Sequence, residues 1–388
     1  MMKMMNKTAF AFGALLCASL MRPSSAFAIE TAAKQAFLID FDTKTVLFEK
    51  QADKPMPPAS MSKLMTAYVL FDHLQNGSLD LDDEFRVSRN AWKKGGAKTG
   101  SSTMFLKEGQ HVKVRDLLRG IIVQSGNDAC IVAAEGLAGS EEDFVALENA
   151  KAKELGLTNT HLVNPTGWPD KKHLMSPRDL ATLADRLIRD FPEYYPIYSE
   201  KEFTYNKIKQ GNRNPLLYLM PEADGLKTGH TSASGYGLVA SAKRKDRRLI
   251  LVINGLKSMK ERSNEAERLM RWGLREFSNY KVLEKGVKVV SVPVWLGVSR
   301  RVAAVPDENV VLTLKAGGQK NLKVVVRYDS PLKAPVKKGQ VIATAQIVVP
   351  DQEPREINLY ADRDVAKVGF FERIKQIVKY LLLSRKAL

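Results

Sequence analysis

Ser60-Met61-Ser62-Lys63, Ser125-Gly126-Asn127 and Lys227-Thr228-Gly229 bring together residue types that can transfer an acyl group. A serine hydroxyl can serve as nucleophile once a neighbouring base takes its proton, and a lysine of lowered pKa is such a base. Each pattern is short and recurs: Ser-x-x-Lys at Ser278/Lys281 and Ser330/Lys333, Ser-x-Asn at Ser88/Asn90, and Lys-Thr-Gly at Lys98-Thr99-Gly100. Context separates the copies. Pro58-Ala59-Ser60 opens an apolar-periodic segment (Met61, Leu64, Met65, Tyr68, Val69), which predicts a helix from Ser60 to Leu74 with Ser60 on its first turn. Unpaired N–H groups and the helix dipole there favour developing negative charge. Lys63, three residues on, shares the face of Ser60 and can reach its oxygen. A lysine desolvated beside other cations loses pKa and can accept a proton. Ser278 closes a predicted helix and Ser330 precedes proline in a turn, so neither has this setting.

The elements that must hold these groups follow from pattern. Phe37 to Asp40 and Val46 to Phe48 read as strands joined at Asp42-Thr43. Helices are expected over Val114–Leu118 and on toward Ile122, over Glu141–Leu155, and over Pro177–Ile188, the last opened by Ser176-Pro177. Gly235–Ala242 and Leu249–Leu256 flank the polar turn Arg244-Lys245-Asp246-Arg247 as a hairpin, and Ser263–Phe277 reads as a helix. Asp224 to His230 leads into that hairpin, and Gly229 lets a substrate backbone approach a strand edge. Lys98-Thr99-Gly100 instead lies in a polar, glycine-rich loop from Lys93 to Ser102, read as solvated. Strands at both ends of this region with helices between imply an antiparallel sheet covered by helices. Beyond about Lys281 the runs Val289–Trp295, Val310–Leu314, Leu322–Tyr328 and Val341–Val349 are short and punctuated by turn residues, which predicts a small all-β domain.

Taken together, Pro58 to Thr66, Gly100-Ser101-Ser102 with Met104 to Lys107, Ser125 to Cys130 and Asp224 to Gly229 resemble the low-molecular-mass penicillin-binding proteins. These are serine D-alanyl-D-alanine carboxypeptidases sharing ancestry with class A β-lactamases. The likeness extends to the β domain and a terminal amphipathic helix. It implies an α+β, transpeptidase-like catalytic domain over residues 29–282, a β domain over 283–361 and an anchoring helix over 362–388. It also implies roles. Ser60 would attack the carbonyl of the penultimate D-alanine of a peptidoglycan stem peptide, with Lys63 as general base. Ser125 and Lys227 would relay the proton to the leaving amine. Asn127 would hold the substrate's peptide group and orient Lys63, and Thr228 and Arg262 would receive the terminal carboxylate, a guanidinium being suited to bidentate pairing. The backbone N–H groups of Ser60 and of His230, next to Gly229, would form the oxyanion hole. β-Lactams would acylate Ser60, and no cofactor is implied.

Other outcomes on the same fold are a D,D-endopeptidase or a weak β-lactamase, and a non-enzymatic wall scaffold is an alternative of another class. A lactamase of class A needs a glutamate-activated water, and Asn164 to Asp170 carries no glutamate. Arg262 has a second reading as a solvated arginine at a helix start. His73, His111, His161 and His173 have no metal-ligand spacing and read as structural or exposed.

The two ends place the chain outside the cytoplasm. Lys3 and Lys7, the apolar run Ala9–Leu20 and Ser25-Ala26-Phe27-Ala28 have the pattern of a signal peptide cleaved after Ala28. Cys17 would go with it, leaving Cys130 in an apolar stretch as a buried, inert thiol. The net charge of +17 fits anionic headgroups better than nucleic acid in an exported protein. From Phe370 to Leu382, helical spacing puts Phe370, Phe371, Ile374, Ile377, Val378, Leu381 and Leu382 on one face, with Glu372, Arg373, Lys375, Gln376 and Lys379 opposite. Such a helix suits the outer, periplasmic face of the cytoplasmic membrane, or else docks on its own protein.

Overall fold

The computed structural model describes residues 29–350 and 353–384, the last six by backbone alone. The expected leader with its cleavage point after Ala28, and Cys17 within it, lies outside the described residues.

Strand β1 (Gln35–Asp40) turns into β2 (Val46–Lys50), and Asp40 Oδ1 closes the turn by accepting the N–H groups of Asp42 (3.1 Å) and Thr43 (3.0 Å). A tight 3-10 turn, Ala59–Ser62, then precedes α1 (Lys63–Gln75). Ser60 therefore stands one turn outside the α-helix on which the apolar periodicity places it. Ala59 is left-handed (φ 49°), and the Ser62 hydroxyl donates to its carbonyl at 3.1 Å, which tightens the turn before the α-helical pattern begins. Strand β3 (Glu84–Arg86), α2 (Arg89–Gly95) and β4 (His111–Lys113), which pairs with β3, come next. They are followed by α3 (Val114–Ile122), α4 (Asn127–Ala138), α5 (Glu141–Glu154) and α6 (Pro177–Asp190). Ser140 and Ser176 cap α5 and α6 by accepting the N–H of Asp143 and Asp179. The reading from pattern places no helix at α4. Its first eight residues are buried all round, so no polar face marks the period.

After the hairpin β5 (Glu202–Tyr205) and β6 (Ile208–Gly211) and the single turn α7 (Leu216–Leu219), three long strands follow: β7 (Ala223–Thr231), β8 (Gly235–Arg244) and β9 (Arg247–Leu256). With β1 and β2 they form an antiparallel sheet in the order β2-β1-β9-β8-β7. Lys227-Thr228-Gly229 thus lies within an edge strand of its own, where the sequence pattern suggests a lead-in to the hairpin. The period of two sorts the sheet residues: Phe37, Leu226, Val239, Ile250 and Val252 join the main core with α1, α3, α4 and α6. Helix α8 (Met259–Glu276) packs on β8 and β9. It starts before Ser263 because Ser258 caps it, accepting the Glu261 N–H at 3.1 Å.

The chain continues in β10 (Phe277–Leu283), β11 (Val290–Trp295), β12 (Arg301–Val305), β13 (Val310–Lys315), β14 (Lys323–Arg327), β15 (Leu332–Lys333), β16 (Val341–Val348) and β17 (Arg355–Ala361). β10 pairs with β13, and the other six form the sheet β14-β16-β17-β12-β11-β15 over a core that includes Val292, Val302, Ala345 and Leu359. The last helix, α9 (Phe370–Ser384), exposes Phe370 (69%), Phe371 (85%), Ile374 (47%) and Val378 (48%), so this apolar face is not packed on the chain's own core. The side chains of Leu381 and Leu382 lie outside the described residues. No helix among the described residues is long and apolar enough to cross a membrane.

One buried ion pair ties the first strand to the end of the catalytic region. Asp40, fully buried, accepts from Arg247 Nε at 2.8 Å, while Arg247 Nη1 donates to the carbonyls of Gly273 (2.9 Å) and Phe277 (2.8 Å). Asp40→Ala would leave the Arg247 charge buried without its counter-ion. The expected loss is about 3 kcal/mol of unfolding free energy, read as a lowered midpoint in urea.

Candidate active site

Backbone set outside the ordinary regions builds the site. Ala59 (φ 49°) and Ser125 (φ 60°) are left-handed non-glycine residues, a conformation that costs free energy and persists where surrounding structure enforces it. Ser125 stands two residues before α4, and Asp128 in the first turn of that helix clamps the 103–106 loop, which precedes β4. This buried carboxylate accepts from Thr103 Oγ1 (2.6 Å) and from the N–H groups of Met104 (2.8 Å), Leu106 (3.1 Å) and Ala129 (2.9 Å). The clamp brings Ser101 and Ser102 to the site: Asn127 N–H donates to the Ser102 carbonyl at 2.8 Å and Asn127 Nδ2 to Ser101 Oγ at 3.1 Å. The stretch Lys93–Ser102 is therefore not wholly a solvated loop. It includes α2, with Gly95 buried, and its end lines the cleft. Lys98-Thr99-Gly100 stays on the exposed part.

A second loop closes the other side. Asn164 Oδ1 accepts the N–H groups of Thr166 (3.2 Å), Gly167 (2.8 Å) and Trp168 (3.0 Å), folding residues 164–168 around its side chain. Gly167 is left-handed (φ 77°), and a Cβ there would lie 2.1 Å from the Ala59 carbonyl oxygen. Only glycine lets this loop touch the Ser60 turn. Gly229 does the same from β7: a Cβ there would meet the Pro58 carbonyl oxygen at 2.7 Å.

Within this frame Lys63 is fully enclosed, 1% exposed. Its Nζ lies 3.0 Å from Ser60 Oγ and 2.8 Å from Asn127 Oδ1, and it donates to the Thr166 carbonyl. Burial pushes the amine down to about 8, Arg213 adding to the effect while Cys130, Asp128 and Glu148 oppose it. Lys227, also buried, donates to Ser125 Oγ at 2.9 Å, and burial with the nearby Lys63 charge holds it well below the ordinary lysine value. Cys130, behind Lys63, is pushed up to about 12 by burial, which removes it as a nucleophile. His173 is buried and burial pushes it down to about 4. Among the described residues no His, Cys, Asp and Glu groups form a metal-binding cluster.

The cleft that opens onto Ser60 has a volume of about 430 Å³ and is lined by Ser60, Ser125, Thr228, Gly229, His230 and Arg262 from the sequence reading. Asn127, Lys63 and Lys227 stand directly behind them. Arg262 is 7% exposed, so the solvated reading of this residue does not hold. Burial lowers it to about 10, its guanidinium sits 5.8 Å over the Tyr236 ring, and its buried Nε has no protein partner. The His230 ring stacks on Tyr236 at 3.9 Å. Arg213, Tyr236 and Met259 also line the cleft and were not singled out from sequence, and so does Ser102, which belongs to the Gly100-Ser101-Ser102 motif but was given no role. Arg213 donates to Ser102 Oγ and sits between Asn212 and Asn214, whose side chains accept the N–H groups of Asn214 (3.0 Å) and Leu216 (3.1 Å). Among 60 lysines and arginines, nothing local marks it as part of a site.

A serine hydroxyl facing a desolvated amine, with two cationic side chains across the cleft, suits acyl transfer to a substrate that ends in a carboxylate. The family model for D-alanyl-D-alanine carboxypeptidase, Peptidase S11, matches residues 21–258. The chain belongs to this family. A second model, the penicillin-binding protein 5 C-terminal domain, matches residues 277–367. The chain is 42% identical over 349 residues to D-alanyl-D-alanine carboxypeptidase DacC of Escherichia coli strain K12, an alignment covering 89% of this chain and 87% of that one. With DacA of the same organism the identity is 40%, over 90% of this chain and 87% of the relative. Penicillin-binding protein 5 from Haemophilus influenzae superposes with a TM-score of 0.77 at 37% identity, covering 88% of this chain and 99% of that structure. Penicillin-binding protein D2 from Listeria monocytogenes, in its ampicillin-bound form, gives 0.55 at 30% identity over 64% of this chain and 99% of that structure.

The contact at Gly167 makes a testable demand. Gly167→Ala must push the loop off Ala59 and draw the Thr166 carbonyl away from Lys63. A fall of about tenfold or more in the rate of penicillin acylation is expected, since a displacement of about 1 Å near the chemistry can cost up to about a hundredfold. Stopped acylation assays with a fluorescent penicillin measure it.

Proposed function

We propose that the protein removes the terminal D-alanine from peptidoglycan stem peptides through an acyl-enzyme on Ser60, and that β-lactams acylate the same serine. The observation that carries the reading is the hydrogen-bond count at Lys63. A neutral amine has two N–H groups and one lone pair. Nζ contacts Ser60 Oγ, Asn127 Oδ1 and the Thr166 carbonyl; once the amine is neutral, the two oxygens that can only accept take its N–H groups, which turns the lone pair to the Ser60 hydroxyl.

The Ser60 O–H gives its proton to Lys63 as Oγ bonds to the carbonyl carbon of the penultimate D-alanine. The backbone N–H groups of Ser60 and His230 receive the oxyanion. As the C–N bond breaks, Ser125, hydrogen-bonded to Lys227, passes its proton to the leaving D-alanine amine, and the proton that Lys63 took from Ser60 replaces it, so that Lys63 is neutral again. Thr228 and Arg262, both lining the cleft, hold the terminal carboxylate. Asn127 holds the substrate's peptide group. Water then attacks the ester, again with Lys63 as base, and releases the shortened peptide. In a β-lactam the amine stays tethered to the acyl group.

The test is D-alanine release from a peptide ending in D-Ala-D-Ala. The wild type releases it and Ser60→Ala does not; no release from folded wild type would overturn the reading. Because the free base is the neutral amine, acylation by penicillin should rise with pH and level off above about 8. Lys63→Arg, whose guanidinium keeps its proton, should lose about a hundredfold or more of the rate.

Export and membrane attachment complete the proposal: a leader over 1–28, a catalytic domain over 29–282, a β domain over 283–361 and an anchor over 362–388, at the outer face of the cytoplasmic membrane. The exposed apolar row of α9 and the net charge of +17 support it. Chain truncated after Asp364 should lose sedimentation with anionic phospholipid vesicles while keeping penicillin acylation. Equal sedimentation of both forms would overturn the anchor.

A further inference from the structure

Glu148 on α5 is 1% exposed and is not among the residues that line the cleft. Its Oε1 is 2.7 Å from Thr66 Oγ1, and the same hydroxyl is 2.8 Å from the Pro165 carbonyl oxygen. Thr66 follows Lys63 by three residues on one helix face. Pro165 precedes Thr166, whose carbonyl accepts from Lys63 Nζ. Thr66 therefore bridges α1 to the loop that holds the amine.

The proton count in this bridge decides the state of the carboxyl group. A threonine hydroxyl has one proton. A carbonyl oxygen can only accept, so Thr66 gives that proton to Pro165. The short contact to Glu148 is then a hydrogen bond only if the carboxyl group is the donor. The other oxygen, Oε2, is buried with no partner among the described residues, a poor place for half of a negative charge and a tolerable one for a neutral acid. We infer that Glu148 is a protonated carboxylic acid that fixes Thr66 and, through it, the 164–168 loop, so that Lys63 meets the Thr166 carbonyl without acquiring a carboxylate counter-ion.

Glu148 is a positioning residue in this scheme, since it touches neither substrate nor Ser60. The inference rests on Lys63 being the base. The titratable groups that face Glu148 are Lys63 on α1 and Cys130 on α4, while the loop presents the Pro165 carbonyl. Burial raises Glu148 to about 8 against the opposing pull of Thr66 and Lys63, in the same range as Lys63 itself. The two groups therefore titrate as a coupled pair. As pH rises, the ion pair competes with the state in which Lys63 is neutral, and the acylation rate of the wild type should climb over a wider span than one proton gives.

Glu148→Gln keeps the shape and the donor and removes the ionisation. In the whole chain at pH 7, the infrared spectrum should contain a protonated-carboxyl stretch that the Gln variant lacks; identical spectra would overturn the inference. The folded pKa lies above the unfolded value of 4.5, so the contribution of Glu148 to stability is present below about 4.5 and lost as pH rises through about 8. The Tm of the Gln variant relative to wild type should therefore grow across that window and then flatten, and a constant difference would overturn the inference. In kinetics, Glu148→Leu should lower penicillin acylation about tenfold, Gln should restore most of it, and the Gln pH curve should narrow to a single proton. Leu as fast as wild type, or pH curves of equal width, would count against it. If Leu does not fold, the Gln comparisons still decide. Failure of the catalytic reading would look different: wild type would not acylate at all while the infrared difference persisted.

Discussion

Burying a lysine amine is costly, and this site depends on how that cost is offset. Removing Lys63 from water favours its neutral form, but a neutral amine in a dry cavity still has two N–H groups to satisfy. Asn127 Oδ1 and the Thr166 carbonyl satisfy them, and neither carries charge, so neither restores the ammonium. Were either replaced by a carboxylate, the same burial would produce an ion pair and no base. The requirement for neutral acceptors from two different segments explains much of the surrounding architecture: α4 must deliver Asn127, and the 164–168 loop must present a backbone oxygen.

Those segments are held by contacts that leave little freedom. Asp128 gathers the 103–106 loop through two backbone N–H groups and one hydroxyl, and Asn164 gathers the loop after α5 through three N–H groups. Left-handed backbone at Ala59 and Ser125 lies at the two serines of the site. Such conformations cost on the order of 1–3 kcal/mol each and are paid for by the packing around them. The close approaches at Gly167 and Gly229 bring the loop and the edge strand β7 onto the Ser60 turn, so nucleophile, base and substrate edge share one rigid corner.

Much of the fold was legible because pattern and burial agree. Helix α6 has a polar and an apolar side, α5 and α6 both start at capping serines, and β8 and β9 flank a polar turn, so their limits follow from local signals. Helix α4 was not legible, since it is buried on every side and carries no period. Strand β12 was missed because Val302 to Val305 has no polar alternation, β17 was missed although Ile357, Leu359 and Ala361 alternate, and β7 was read as a lead-in because its glycines and charges weaken a strand signal. In the site, Ser60, Lys63, Ser125, Asn127, Lys227 and Thr228 stand in compact motifs whose residue types declare their chemistry. Arg213 and Tyr236 do not, because each reaches the cleft from a separate segment with no local signature.

The sequence by itself determined which groups are available: two serines, two lysines and an amide at spacings that helix and strand geometry turn toward one another. It also determined the elements whose hydrophobic period and caps act within a dozen residues, such as α6 and the β8–β9 hairpin. Tertiary structure alone decided protonation and contact. Whether Lys63 is a base, whether Arg262 is solvated or sequestered, and whether Glu148 keeps its proton all depend on which distant atoms exclude water. Desolvation and hydrogen-bond partners are properties of the packed interior, supplied here by segments up to about a hundred residues apart in the chain, such as Lys63 and Thr166.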